Sequence, residues 1–112
     1  MNFKIVFPTG YNIINPDNDN IDINIVLENN KVFFATIFTV ENIKHLLDEG
    51  QESYFSSTDM IITKNITKPE IKKVITEIIN EEYIEDICSE IGYIKDIFPD
   101  PETEYNDIKD MI

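Results

Sequence analysis

Apolar and polar positions interleave from the start of the chain: Phe3, Ile5 and Phe7 sit among Asn2, Lys4 and Val6. A period of two marks a strand with one buried face, and Pro8 and Gly10 stop it. After the polar loop Asn15 to Asn20, a second alternation runs through Ile21, Ile23, Ile25 and Leu27. Glu28-Asn29-Asn30-Lys31 separates it from the apolar run Val32 to Phe38. Asparagine tolerates positive φ, so Asn29-Asn30 predicts a two-residue hairpin of type I′. Glu28 then pairs with Lys31, Leu27 with Val32, Ile25 with Phe34 and Ile21 with Phe38. The expected opposite face carries Val26, Phe33, Ala35 and Ile37, beside Asp22 and Asn24. That face is too apolar to stay bare. It is expected either to lie under the C-terminal segment or to form an interface.

Beyond Phe38 the period lengthens. Thr39 is placed to cap a helix whose stripe is Val40, Ile43, Leu46 and Leu47, with Gly50 ending it. Met60-Ile61-Ile62 reads as a short buried strand. Thr67 and Glu70 have capping-box spacing, and Ile71, Val74, Ile75, Ile78 and Ile79 follow at helical spacing. Asn80 to Glu82 breaks that helix. Tyr83, Ile84, Ile87, Cys88 and Ile91 predict another helical stripe, closed by Gly92. Asp100-Pro101 predicts the start of a terminal helix with Tyr105, Ile108, Met111 and Ile112 on one face.

The order of elements predicts an α+β fold. The expected sheet is mixed, mainly antiparallel and of about four strands, with three or four helices packed on one face. Residues 1–112 form one domain, within which 93–112 is a candidate docking segment.

Charge changes the picture more than composition does. The net charge is −13, and all nine basic residues are lysine. Isoleucine fills 22 positions and asparagine 12, a bias expected of an AT-rich bacterial genome. Without arginine there is no bidentate guanidinium clamp for phosphate. Such a surface repels nucleic acid and anionic membranes and attracts basic partners. Residues 81–110 hold eleven acids against Lys95 and Lys109. Glu81, Glu82, Glu85, Asp86 and Glu90 are expected on consecutive helical turns as a partner-binding face, with Tyr93 as a packed anchor. A solvated face that serves solubility alone is the other reading of the same charges.

The chemistry that could support an enzyme is sparse. His45 is the single histidine, and its helical position turns it away from Ile43, Leu46 and Leu47. Cys88 is the single cysteine, on the edge of an apolar stripe, with no adjacent positive charge to activate it. Together they cannot complete a usual zinc site. The three glycines are isolated, so no phosphate loop or dinucleotide fingerprint is present. Asp17, Asp19 and Glu28 match three positions of a calcium loop. Ile21 and Asp22 fall where that loop needs an oxygen ligand and a glycine. The expectation is no enzyme, no metal and no cofactor. Met1 to Phe7 lacks the pattern of a signal peptide, which predicts a cytoplasmic location.

Gly10 to Asp22 (G-Y-N-I-I-N-P-D-N-D-N-I-D) and Ser57 to Ile62 (S-T-D-M-I-I) resemble segments of small, uncharacterised bacterial proteins. Size, acidity and element order resemble the immunity proteins of bacterial polymorphic toxin systems. The resemblance implies a protein that binds and neutralises a cognate toxin; the acidity suits the masking of a basic active site such as that of a nuclease. The alternative from another class is a small structural or regulatory subunit that forms a homodimer.

Overall fold

The computed structural model describes residues 1–112. The elements are β1 (Phe3–Val6), β2 (Asn20–Leu27), β3 (Lys31–Thr39), α1 (Val40–Gly50), β4 (Met60–Thr63), α2 (Lys68–Asn80), α3 (Ile84–Ile87), β5 (Ser89–Tyr93) and α4 (Ile94–Ile97), then a 3₁₀ turn at Tyr105–Asp107. The fold is α+β: a mixed, mostly antiparallel sheet of five strands with four helices, of which α1 and α2 are substantial.

The β2–β3 hairpin departs from the expected register by one residue. Ile25 lies opposite Phe33, and Val26 opposite Val32. The cause is a three-residue turn, Glu28-Asn29-Asn30, in which the Asn30 amide donates to the Leu27 carbonyl at 2.9 Å. Asn30 takes φ +74°, and the Asn29 side chain accepts from the Lys31 amide at 3.1 Å. Both asparagines are used, but only Asn30 enters the left-handed region, so the turn closes as the longer loop type.

A one-residue slip moves every side chain to the other face. Phe33, Ala35 and Ile37 therefore share the main core with Ile21, Ile23, Ile25 and Leu27, while Val26 lies on the opposite face. This register gathers apolar residues more completely than the expected one. It sets Asp22 opposite Thr36, whose hydroxyl donates to the Asp22 carboxylate at 2.8 Å. The expected register would have set Asp22 against Ile37.

β3 is the hub. One edge pairs with β2; the other is shared by two short strands set end to end. β4 runs parallel along Thr36 to Thr39, and β5 antiparallel along Lys31 to Phe34. Their junction is closed by Asp59, whose carbonyl accepts from the Thr36 amide at 3.0 Å. Its carboxylate accepts from the Ser89 hydroxyl at 2.7 Å. β5 replaces part of the helix expected through Ile91: α3 stops at Ile87, and Cys88 is already extended.

Helices cover both faces of the sheet, not one. α2 lays Ile71, Ile75 and Ile78 on the main core. The chain from α4 onward covers the other face, where Ile94 and Ile108 enclose Val26 and Val32. That face is covered by the C-terminal segment, but it is not the face the expected register drew: of Val26, Phe33, Ala35 and Ile37 it carries only Val26. The terminal helix does not form. Tyr105 and Ile108 pack on the second face, and Met111 and Ile112 reach the main core. The tail between them runs beside β1, where the Met111 amide donates to the Ile5 carbonyl at 2.9 Å. The Asp110 carboxylate accepts from the Ile5 amide at 3.2 Å. An edge strand left open invites pairing with other chains, and the tail occupies this one. No helix is long and apolar enough to cross a membrane.

Candidate functional site: an acidic cleft beside the hairpin

Helix α2 ends where the acidic segment begins. The Glu82 amide donates to the Ile79 carbonyl at 3.1 Å, and the Tyr83 amide to the Ile78 carbonyl at 3.0 Å. This bond pair is a Schellman motif, whose left-handed position normally holds glycine. Here it holds Glu82, at φ +61°. The reversal sends the chain into α3, which rests Ile84 and Ile87 against the main core. β5 then returns alongside β3.

Two carboxylates of this segment converge on Lys31. Glu90 Oε1 lies 3.3 Å from Lys31 Nζ, and Glu85 Oε1 lies 4.0 Å away. Hydrogen bonding and charge from Glu90 hold the Lys31 ammonium above its ordinary pKa, with smaller contributions from Glu85 and Tyr93. Next to this cluster is an open cleft of about 450 Å³ between the hairpin and the α2 terminus. Leu27, Phe33, Ile79 and Ile84 give it an apolar lining, Glu82 and Glu85 an acidic one, and Lys31 a basic one. The Glu82 carboxylate makes no hydrogen bond or ion pair.

The residues expected to bind a partner are therefore only partly united. Glu85 and Glu90 meet at Lys31, and Glu82 lines the same cleft as Lys31 and Glu85 without pairing. Tyr93 lies opposite Lys31 in the strand register and is 44% exposed. It lines a second cleft of about 300 Å³ with Asn30, Ile94 and Glu104. Glu81 caps α2 and Asp86 lies in α3; both are exposed, and neither lines the larger cleft. The five acids do not share one helical face, because the segment is a helix end, a single turn of helix and a strand.

The proposed sheet-face interface is overturned by burial. Val26, Phe33, Ala35 and Ile37 are each at most 1% exposed, and they are divided between the two sides of the sheet. Sequence reasoning missed Lys31 as the centre of the charged group and the apolar lining beside it. Both depend on β3–β5 pairing, a long-range contact, and no local signal marks Lys31, whose one acidic near neighbour in the sequence is Glu28.

The remaining chemical groups are apart. His45 is exposed on α1 and lies 3.4 Å from Glu49 Oε1. Cys88 is buried in the main core, and burial pushes its thiol up to about 11, with a smaller contribution from Asp59. A thiol held protonated is a poor nucleophile. The Asp17–Asp22 loop is engaged internally. Its Asp19 amide donates to Thr39 Oγ1 at 3.3 Å, and Asn20 and Asn18 bond the Asn42 side chain at 3.0 and 3.3 Å. No group of three or more His, Cys, Asp or Glu side chains is arranged to hold a metal ion. The chain matches no protein-family model, no curated protein sequence and no solved structure.

Proposed function

We propose that this is a non-enzymatic binding protein that engages a basic protein through its α2–α3–β5 end. The role that suits it best is that of an immunity or inhibitor protein masking the basic active site of a cognate toxin. The observation that carries this reading is the convergence of Glu85 and Glu90 on one lysine, beside a partly apolar cleft that the unpaired Glu82 also lines. Two carboxylates against one ammonium, with the unpaired Glu82 nearby, leave an excess of negative charge, and the apolar part of the cleft supplies contact area that charge alone does not. The protonated, buried Cys88 and the isolated His45 give no support to a catalytic role. The rival reading, a homodimeric structural subunit, loses the sheet face on which it depended, because Val26, Phe33, Ala35 and Ile37 are enclosed within one chain.

The test is to recover the partner from the source bacterium with a tagged chain, isolate it, and measure association across salt concentrations. The reading expects a basic partner whose activity falls on binding and whose association slows as salt rises. Replacing Glu82, Glu85 and Glu90 with lysine, with folding confirmed by circular dichroism, should slow association by roughly tenfold or more at low salt. A neutral or acidic partner, or an unchanged rate and salt slope in the triple variant, would overturn it.

A further inference from the structure

The geometry points to a specific occupant for the larger cleft: a lysine or arginine side chain of the partner. Its alkyl stem would lie on the half-buried Ile79 and Ile84, and its cation would face Glu82 and Glu85. The inference rests on the proposed function and narrows it from a charged surface to a pocket.

Four observations lead there. The cleft volume of about 450 Å³ is within the range of roughly 300–1,000 Å³ typical of pockets that enclose small groups. Its lining joins apolar residues to Glu82, Glu85 and Lys31; Glu90 holds the Lys31 ammonium at 3.3 Å, which leaves the Glu82 carboxylate for the charged head of a side chain whose alkyl stem meets the apolar part. α2 directs its negative dipole end toward the cleft and has no basic residue in its last turn, so a cation there meets an uncompensated field. Finally, the protein already shows the pairing in miniature. Lys31 reaches Glu85 and Glu90 from within the chain, while Glu82 is left without any partner although it lines the same cleft.

Glu82 also occupies a backbone position that favours glycine. A glycine would relieve that conformation but would remove the one unpaired carboxylate of the cleft. Strain kept at a particular residue is consistent with a role for its side chain.

The experiment uses the intact chain with labelled isoleucine and leucine methyl groups, followed by nuclear magnetic resonance at constant ionic strength. One titration uses n-butylguanidinium chloride, with n-butanol and guanidinium chloride as separate controls. Saturable shifts are expected at the Leu27, Ile79 and Ile84 methyls, larger than with either control. Glu82→Gln and Glu85→Gln should each weaken the n-butylguanidinium titration by roughly two- to fivefold, as for exposed ion pairs. Shifts at these methyls no larger than at the remote, 89% exposed Ile14 would overturn the inference. So would titrations that are identical in the glutamine variants. A second titration with poly-L-lysine separates this from the broader reading. Binding that shifts backbone amides of the acidic segment while leaving the cleft methyls unmoved overturns the pocket and supports the basic-partner reading. Absence of poly-L-lysine binding at low salt counts against both.

Discussion

The two long helices begin alike and end up differently. Thr39 caps α1 by accepting from the Asn42 amide at 3.1 Å, and Thr67 caps α2 by accepting from the Glu70 amide at 3.4 Å. Each carries an apolar stripe at helical spacing. α2 buries Ile71, Ile75 and Ile78, whereas the only buried residue of α1 is Asn42. Ile43, Leu46 and Leu47 are half-buried and belong to neither core cluster. The connections explain the difference. α1 follows β3 with no intervening loop, so it continues from the strand's end and cannot turn back over the sheet. α2 is preceded by the segment Lys64 to Thr67, which lets it cross the main core. The polar face of α1 does the anchoring instead, through Asn42 bonded to Asn18 and Asn20. A helical stripe therefore identifies an amphipathic helix; the length of the link before it decides whether its own chain can cover that stripe.

The sharpest way to break this comparison is to truncate one apolar residue on each helix. Ile75 is fully buried, so Ile75→Ala should cost about 3 kcal/mol, the transfer loss plus a cavity. Leu47 is half-buried and joins no core cluster, so Leu47→Ala should cost about 1 kcal/mol or less. Urea unfolding of both variants gives the two values. Equal losses would mean that α1 is as firmly packed as α2.

The same contrast governs what could be read from sequence. The α2 stripe, its caps and its break at Asn80 were legible because they are local. The hairpin was not fully legible, because Glu28-Asn29-Asn30 supports either a two-residue or a three-residue turn. The choice rests on which register completes a face with Ile21, Ile23, Ile25, Phe33, Ala35 and Ile37. β5 was masked by the spacing of Ile84, Ile87 and Ile91, which fits a helix; pairing with β3 overrides that pattern. Charge density singled out Glu81, Glu82, Glu85, Asp86 and Glu90 on one helical face, whereas the fold divides them among a helix end, α3 and β5. Charge density could not show that Lys31 stands between Glu85 and Glu90, since that contact exists only once β5 has paired.

A pH measurement sharpens the comparison on the α2 side, where the buried titratable group lies. The Cys88 thiol is raised from 9.0 to about 11 in the folded chain. A raised pKa means that its contribution to stability is intact below about pH 9 and is lost as pH rises toward 11, because the unfolded thiol ionises first. Between pH 7 and pH 10 the loss should be about 1 kcal/mol. Cys88→Ala removes this component, so its stability should fall less than that of the native chain over the same interval. Parallel urea titrations at the two pH values check it, and equal falls would show that Cys88 titrates alike in both states.

The smallest effect separates folding from binding. Both long helices end on a left-handed residue that is not glycine: Gln51 at φ +52° and Glu82 at φ +61°. Glycine suits this conformation better, so Gln51→Gly and Glu82→Gly should each raise stability by about 0.5 kcal/mol, up to ~1 kcal/mol. In α1 that gain should have no counterpart in ligand binding, since Gln51 is remote in sequence from the acidic segment and lines neither of the two clefts beside the hairpin. In α2 it should come with weaker n-butylguanidinium binding, because the unpaired carboxylate of the larger cleft is gone. Thermal midpoints and the methyl titration, measured on the same two proteins, decide the matter. If Glu82→Gly gains stability and keeps full binding, the strained residue at the end of α2 serves neither the fold nor the cleft.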